Sequence, residues 1–166
     1  THSPEKVLQT IFSRCQSIRV MPLTKEEMVK TRAMNPFDDR EEYDLFMDLF
    51  ADLMRAVTSG ELQAALECGE AVAGLESREK QKAFCNFAGE CIRKIFMVQQ
   101  KMPQIAGIAD QEQEFYADMA GRCGKGFCMR TITNIEKVVA MIDRNVSSKI
   151  LFCDLVNRMY LSIWSR

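Results

Sequence analysis

Residues 43–57, YDLFMDLFADLMRAV, decide the fold class. Tyr43, Phe46, Met47, Phe50, Leu53, Met54 and Val57 recur at the intervals that stack side chains on one face of an α-helix. Leu45, Leu49 and Ala56 widen this stripe, so the helix is predicted to be buried on two sides. Such a helix needs several neighbours, and the chain supplies them. Leu62, Ala65, Leu66, Gly69, Val72 and Ala73 form a stripe of small residues that lets another helix approach closely. Ser77 caps a long segment from about Arg78 to Met102, with Phe84, Phe87, Cys91, Ile95 and Val98 on one face and Pro103 closing it. Phe115, Met119 and Ala120 mark a helix over Ala109 to Arg122. Ile132, Ile135, Val138, Val139 and Ile142 make a strict amphipathic stripe. Asn145 breaks the pattern, and Val146 to Trp164 is predicted as the last helix. The expectation is a bundle of about five helices.

Ahead of the bundle the pattern changes. Ile18-Arg19-Val20 alternates apolar and charged residues as a half-solvated strand does, and Pro22 ends it. Thr24-Lys25-Glu26-Glu27 is a capping box that opens a short helix, and Asn35-Pro36-Phe37 has the chemistry of a break. The predicted organisation is therefore a strand-bearing lead over residues 1–23, a short helix and linker over 24–39, and a helical domain over 40–166. The fold class is mainly α, a helical bundle preceded by a short strand.

The totals exclude several functions. With 166 residues, 47% of them hydrophobic, the chain can bury one sizeable core. A formal charge of −1 leaves no basic nucleic-acid arm and no acidic tail, so any contact with DNA needs a local patch or a partner. No apolar run has the length of a membrane span. The absence of an initiator methionine and of a signal peptide, with a loop-like start at Thr1 to Lys6, predicts the C-terminal part of a longer cytoplasmic protein. Seven cysteines without an export signal are expected to be free thiols.

Chemical constellations are sparse. Cys123 and Cys128 barely approach the spacing of zinc ligands, Cys85 and Cys91 do not share a helical face, and His2 is the only histidine, so no metal site is expected. Gly124-Lys125-Gly126 lacks the spacing and the Ser or Thr of a phosphate loop and reads as a helix-ending loop. Asp38, Asp39, Glu41, Glu42, Asp44 and Asp48 gather at a helix start, where acids suit the dipole. The eleven methionines fall at helical spacing and read as core rather than as a peptide groove.

One motif remains. Thr10-Ile11-Phe12-Ser13-Arg14-Cys15-Gln16 sets an arginine between two small residues that folding does not require. The run from Thr1 to Gln16, a Thr-x-x-Pro loop leading into Thr-Ile-x-Ser-Arg-Cys, resembles the end of the AAA+ ATPase module of clamp-loader subunits. Pro22-Leu23 and the acidic helix from Thr24 to Met28 follow in the family's order. Residues 144–160, RNVSSKILFCDLVNRMY, are similar to the last collar helices of the delta-prime branch of bacterial DNA polymerase III loaders. Gln9 departs from the family's usual proline, and Thr24 to about Arg40 leaves room for a truncated lid.

The resemblance implies that residues 40–166 are a collar that packs subunits into a ring. It implies that Arg14, flanked by Ser13 and Cys15, is a trans-acting arginine finger that stabilises charge on the γ-phosphate during ATP hydrolysis. This chain would then have no active site or cofactor of its own, ATP–Mg being held by the neighbouring subunit. The implied partners are the gamma/tau and delta subunits, the sliding clamp, and primer–template DNA through the assembled complex, with no membrane. Two alternatives stand beside this reading: a gamma/tau ATPase-subunit fragment, and a helical protein–protein adaptor unrelated to ATP chemistry.

Overall fold

The stripe at residues 43–57 folds within helix α1, Arg40–Ser59, in a computed structural model that describes residues 40–124 and 126–164. Phe46, Phe50, Leu53, Met54, Ala56 and Val57 are buried, as the periodicity predicts, whereas Leu45 stands 46% exposed on the acidic outer face. Gly60 ends the helix at φ +82, and the Glu61 N–H donates to the Ala56 carbonyl at 3.0 Å. That pairing satisfies a carbonyl the helix itself cannot, and it needs a left-handed residue that glycine supplies without strain.

Helix α2 spans Leu62–Ala73, α3 Arg78–Gln99, α4 Pro103–Ala106, α5 Gln113–Arg122, α6 Phe127–Ile142 and α7 Ser148–Trp164. A 3-10 turn, Asp110–Glu112, precedes α5. Ser77 caps α3, its Oγ accepting the Lys80 N–H at 3.1 Å. The long helix ends earlier than its apolar pattern suggests, because Lys101 turns to φ 60. Pro103 then opens a short helix instead of only closing the long one, which suits a residue with no N–H to donate in a first turn.

Helix α3 lies at the centre, against α1, α2, α4, α5 and α6, and α7 packs on α1, α2 and α6. Where α1, α3 and α5 meet, Phe46 sits edge-on to Phe84 at 5.6 Å, and Phe50 edge-on to Phe115 at 6.2 Å. Burying each of the Phe46, Phe50 and Phe84 rings contributes about 1.5–3 kcal/mol. At Gly69, α2 and α7 approach closely: a Cβ there would stand 2.9 Å from Val156 Cγ2. Buried Gln81 ties three segments together, donating to the Ala73 carbonyl at 2.9 Å and accepting from Ser148 Oγ at 2.7 Å.

The predicted class, mainly α with a strand-bearing lead, is corrected. Every regular element of the described residues is helical, and no strand occurs among them. The expected strand at Ile18-Arg19-Val20 lies outside those residues. A three-residue alternation was weak grounds for it, because a strand leaves its backbone groups unpaired unless a second strand takes them. No other segment reads as that partner. The chain divides between Pro36 and Phe37.

Candidate functional site

Two groupings of polar side chains merit a chemical reading, and they differ in access. The first is internal. Tyr43 of α1 donates a short hydrogen bond to Glu112 Oε1 of the 3-10 turn. Lys94 of α3 faces Glu112 Oε2 at 3.5 Å and lies over the Tyr116 ring at 5.2 Å. The Tyr116 hydroxyl donates to Cys91 Sγ at 3.2 Å.

A carboxylate, an amine, two phenols and a thiol in one cluster hold the ingredients of acid–base work. Their environment points the other way. Burial pushes both phenols above their ordinary range and the Cys91 thiol up to about 11. None of these three groups is poised to exchange a proton near neutrality. The cluster instead ties the short 3-10 turn and α5 to α1 and α3.

The second grouping is open. Met129, Arg130, Thr133, Asn134 and Lys137 of α6 face Arg158, Leu161 and Ser162 of α7 across a groove of about 640 Å³. Met129, Thr133 and Lys137 recur at i, i+4 and i+8 with Arg130 and Asn134 beside them, on the side away from buried Phe127, Cys128, Thr131, Ile135 and Val138. Met129 is 58% and Leu161 54% exposed. Arg130 closes one end by donating from Nη2 to the Ser162 carbonyl at 3.0 Å, and Arg158 Nε pairs with Asp154 Oδ2 at 2.6 Å. Lys137 has no ion-pair partner among the described residues. None of the lining residues is acidic, so the groove is basic with an apolar pair inside it. Its hydroxyls are already committed: Thr133 Oγ1 donates to the Met129 carbonyl at 3.1 Å, and Ser162 Oγ to that of Met159 at 2.7 Å.

The sequence reading did not find this groove. Met54, Met119 and Met159 are core, as the spacing predicts, but Met102, Met129 and Met141 are exposed. The available signal was that Met129 falls off the buried face of its own helix. Ser13, Arg14, Cys15 and His2 lie outside the described residues. Asp38 and Asp39 do as well, while Glu41 and Glu42 occupy the first turn of α1. Cys85, Cys91, Cys123 and Cys128 are buried free thiols, Cys68 is half-buried and Cys153 exposed.

The described residues hold no group of three or more His, Cys, Asp and Glu side chains that could bind a metal ion. Among them, no helix is long and apolar enough to cross a membrane. Comparison with protein-family models, with curated proteins and with solved structures finds no match to this chain.

Proposed function

We propose that the chain is a protein-interaction subunit, a helical adaptor that works by presenting side-chain faces to partner proteins rather than by turning over a small molecule. The observation that supports this is the α6–α7 groove, where two large apolar side chains stand in solvent inside a basic frame. A monomer gains by burying such side chains, and surfaces that keep them exposed next to charge are typical of association sites. The internal Tyr43–Glu112–Lys94–Tyr116–Cys91 cluster agrees, since its groups engage one another. The native chain should elute from a size-exclusion column, loaded with extract of its own cells, well above the size of the chain alone. Recovery only as a monomer would overturn the reading.

The Thr1 to Gln16 motif favours a second reading, in which the subunit serves ATP chemistry held by its neighbours. In it, the partners are the other subunits of a clamp-loader ring, the sliding clamp and primer–template DNA. Arg14 reaches the ATP–Mg of the adjacent subunit, where such a guanidinium is worth about 10³–10⁵ in rate. In a loader reconstituted with the full-length protein, Arg14→Ala should depress DNA-stimulated ATP hydrolysis at one site and slow clamp loading, while the ring still assembles. Arg14→Lys should rescue poorly, because an ammonium lacks the planar fork. Unchanged turnover would make Arg14 an ordinary surface charge.

A further inference from the structure

We propose that the groove between α6 and α7 is the docking site for an acidic amphipathic helix of a partner protein. The inference rests on the adaptor reading and gives its partner a chemistry.

The dimensions come first. Met129, Thr133 and Lys137 run along about two turns of α6, roughly 12 Å. A partner helix laid there would place apolar residues one turn apart against Met129 and Leu161. Methionine suits such a contact, because its unbranched, polarizable side chain adapts to what it meets. The charges come second. Arg130, Lys137 and Arg158 frame the apolar pair with no acid among the lining residues. A helix carrying Glu or Asp beside its leucines matches that frame, and a basic helix would be repelled by it.

Other occupants fit less well. The groove's two hydroxyl hydrogens are committed to their own helices, which leaves a small polar ligand only Asn134 and the cations to bind. Single-stranded nucleic acid binds through aromatic platforms and a continuous basic track. This groove has no aromatic lining and only three cations along its length.

The test uses the full 166-residue chain and a designed, fluorescently labelled helical peptide of about four turns, with leucines at i and i+4 flanked by glutamates. Anisotropy should show saturable binding that weakens as salt is added. Lys137→Glu should weaken it about 3- to 10-fold and Leu161→Ser about 5-fold. Both positions are solvent-facing, so the melting temperature should not move. Besides failure to bind the peptide, three results would each overturn the proposal. One is that the variants bind the peptide like the parent chain. Another is that an oligothymidylate of similar length binds more tightly than the peptide. The third is that the chain self-associates and Lys137→Glu disperses it, which would give the groove to a second copy. If the native chain sits in a large assembly yet ignores the peptide, this proposal fails and the adaptor reading stands. A chain that is monomeric in native extract removes the adaptor reading whatever the peptide does.

Discussion

Gly69→Ala sets two effects against each other at the contact between α2 and α7. In a helix interior, alanine is favoured over glycine by about 1 kcal/mol. Against that, the new Cβ would stand 2.9 Å from Val156 Cγ2, where carbon atoms rest at about 3.5–4.0 Å, so the contact must open by roughly 0.6 Å or more. Val156 cannot easily turn away. It is β-branched and stiff at χ1, only 1% exposed, and carried on a helix also packed against α1 and α6. The Phe152 carbonyl stands 3.4 Å from the same point. Overpacking of this kind costs about 1–3 kcal/mol, so the steric term wins and the expected net loss is about 1 kcal/mol.

The background decides the sign. In a Val156→Ala chain the clash is gone and only the ordinary contact with the Phe152 carbonyl remains, so Gly69→Ala should then stabilise by up to about 1 kcal/mol. Urea unfolding of the four chains in this double-mutant cycle, followed by circular dichroism, should give a coupling energy of about 1–3 kcal/mol. Effects additive to within about 0.3 kcal/mol would refute the close approach of α2 and α7.

Gln81→Ala removes a side chain bonded to the Ala73 carbonyl and to Ser148 Oγ, and should cost about 2–3 kcal/mol by leaving both unpaired; a loss below about 0.5 kcal/mol would show that water replaces the amide. Among the described cysteines, exposed Cys153 should be alkylated first and half-buried Cys68, its thiol held above the ordinary range by burial, more slowly. Cys85, Cys91, Cys123 and Cys128 should react only on unfolding, and mass-mapped labelling of any of them at the rate of Cys153 would contradict their burial. Alkaline stability follows from the same thiols. Burial raises Cys85 and Cys123 from 9.0 to about 12, and Cys91 and Cys128 to about 11. Above about pH 9 the unfolded chain releases thiol protons that the folded chain keeps. Stability is therefore full below about pH 9 and should decline toward pH 11–12. A urea midpoint flat from pH 8 to 11 would refute this.

The helices were legible in the sequence because a helix's own residues carry its period. Residues 43–57 alternate apolar and polar side chains at intervals that only a helix converts into one face, and α1 follows from that pattern alone. Breaks were legible for a similar local reason: Gly60 and Asn145, at φ +82 and φ 61, are residues that tolerate the left-handed region. The strand at residues 18–20 went beyond what so short an alternation carries. Which apolar residues stay outside was not local. Leu45, Met129 and Leu161 stay largely in solvent, and a helix's period does not say where its neighbours end.

The groove was less legible still. Arg130 and the Ser162 carbonyl it binds are 32 residues apart, and Tyr43 and Glu112 are 69 apart. Their meeting depends on how α6 and α7 cross and on how α1 and α3 enclose the 3-10 turn. Contacts such as Gly69 against Val156 set that packing. Periodicity records which side of each helix seeks cover, and only the packed structure decides what covers it and which charges are then left side by side.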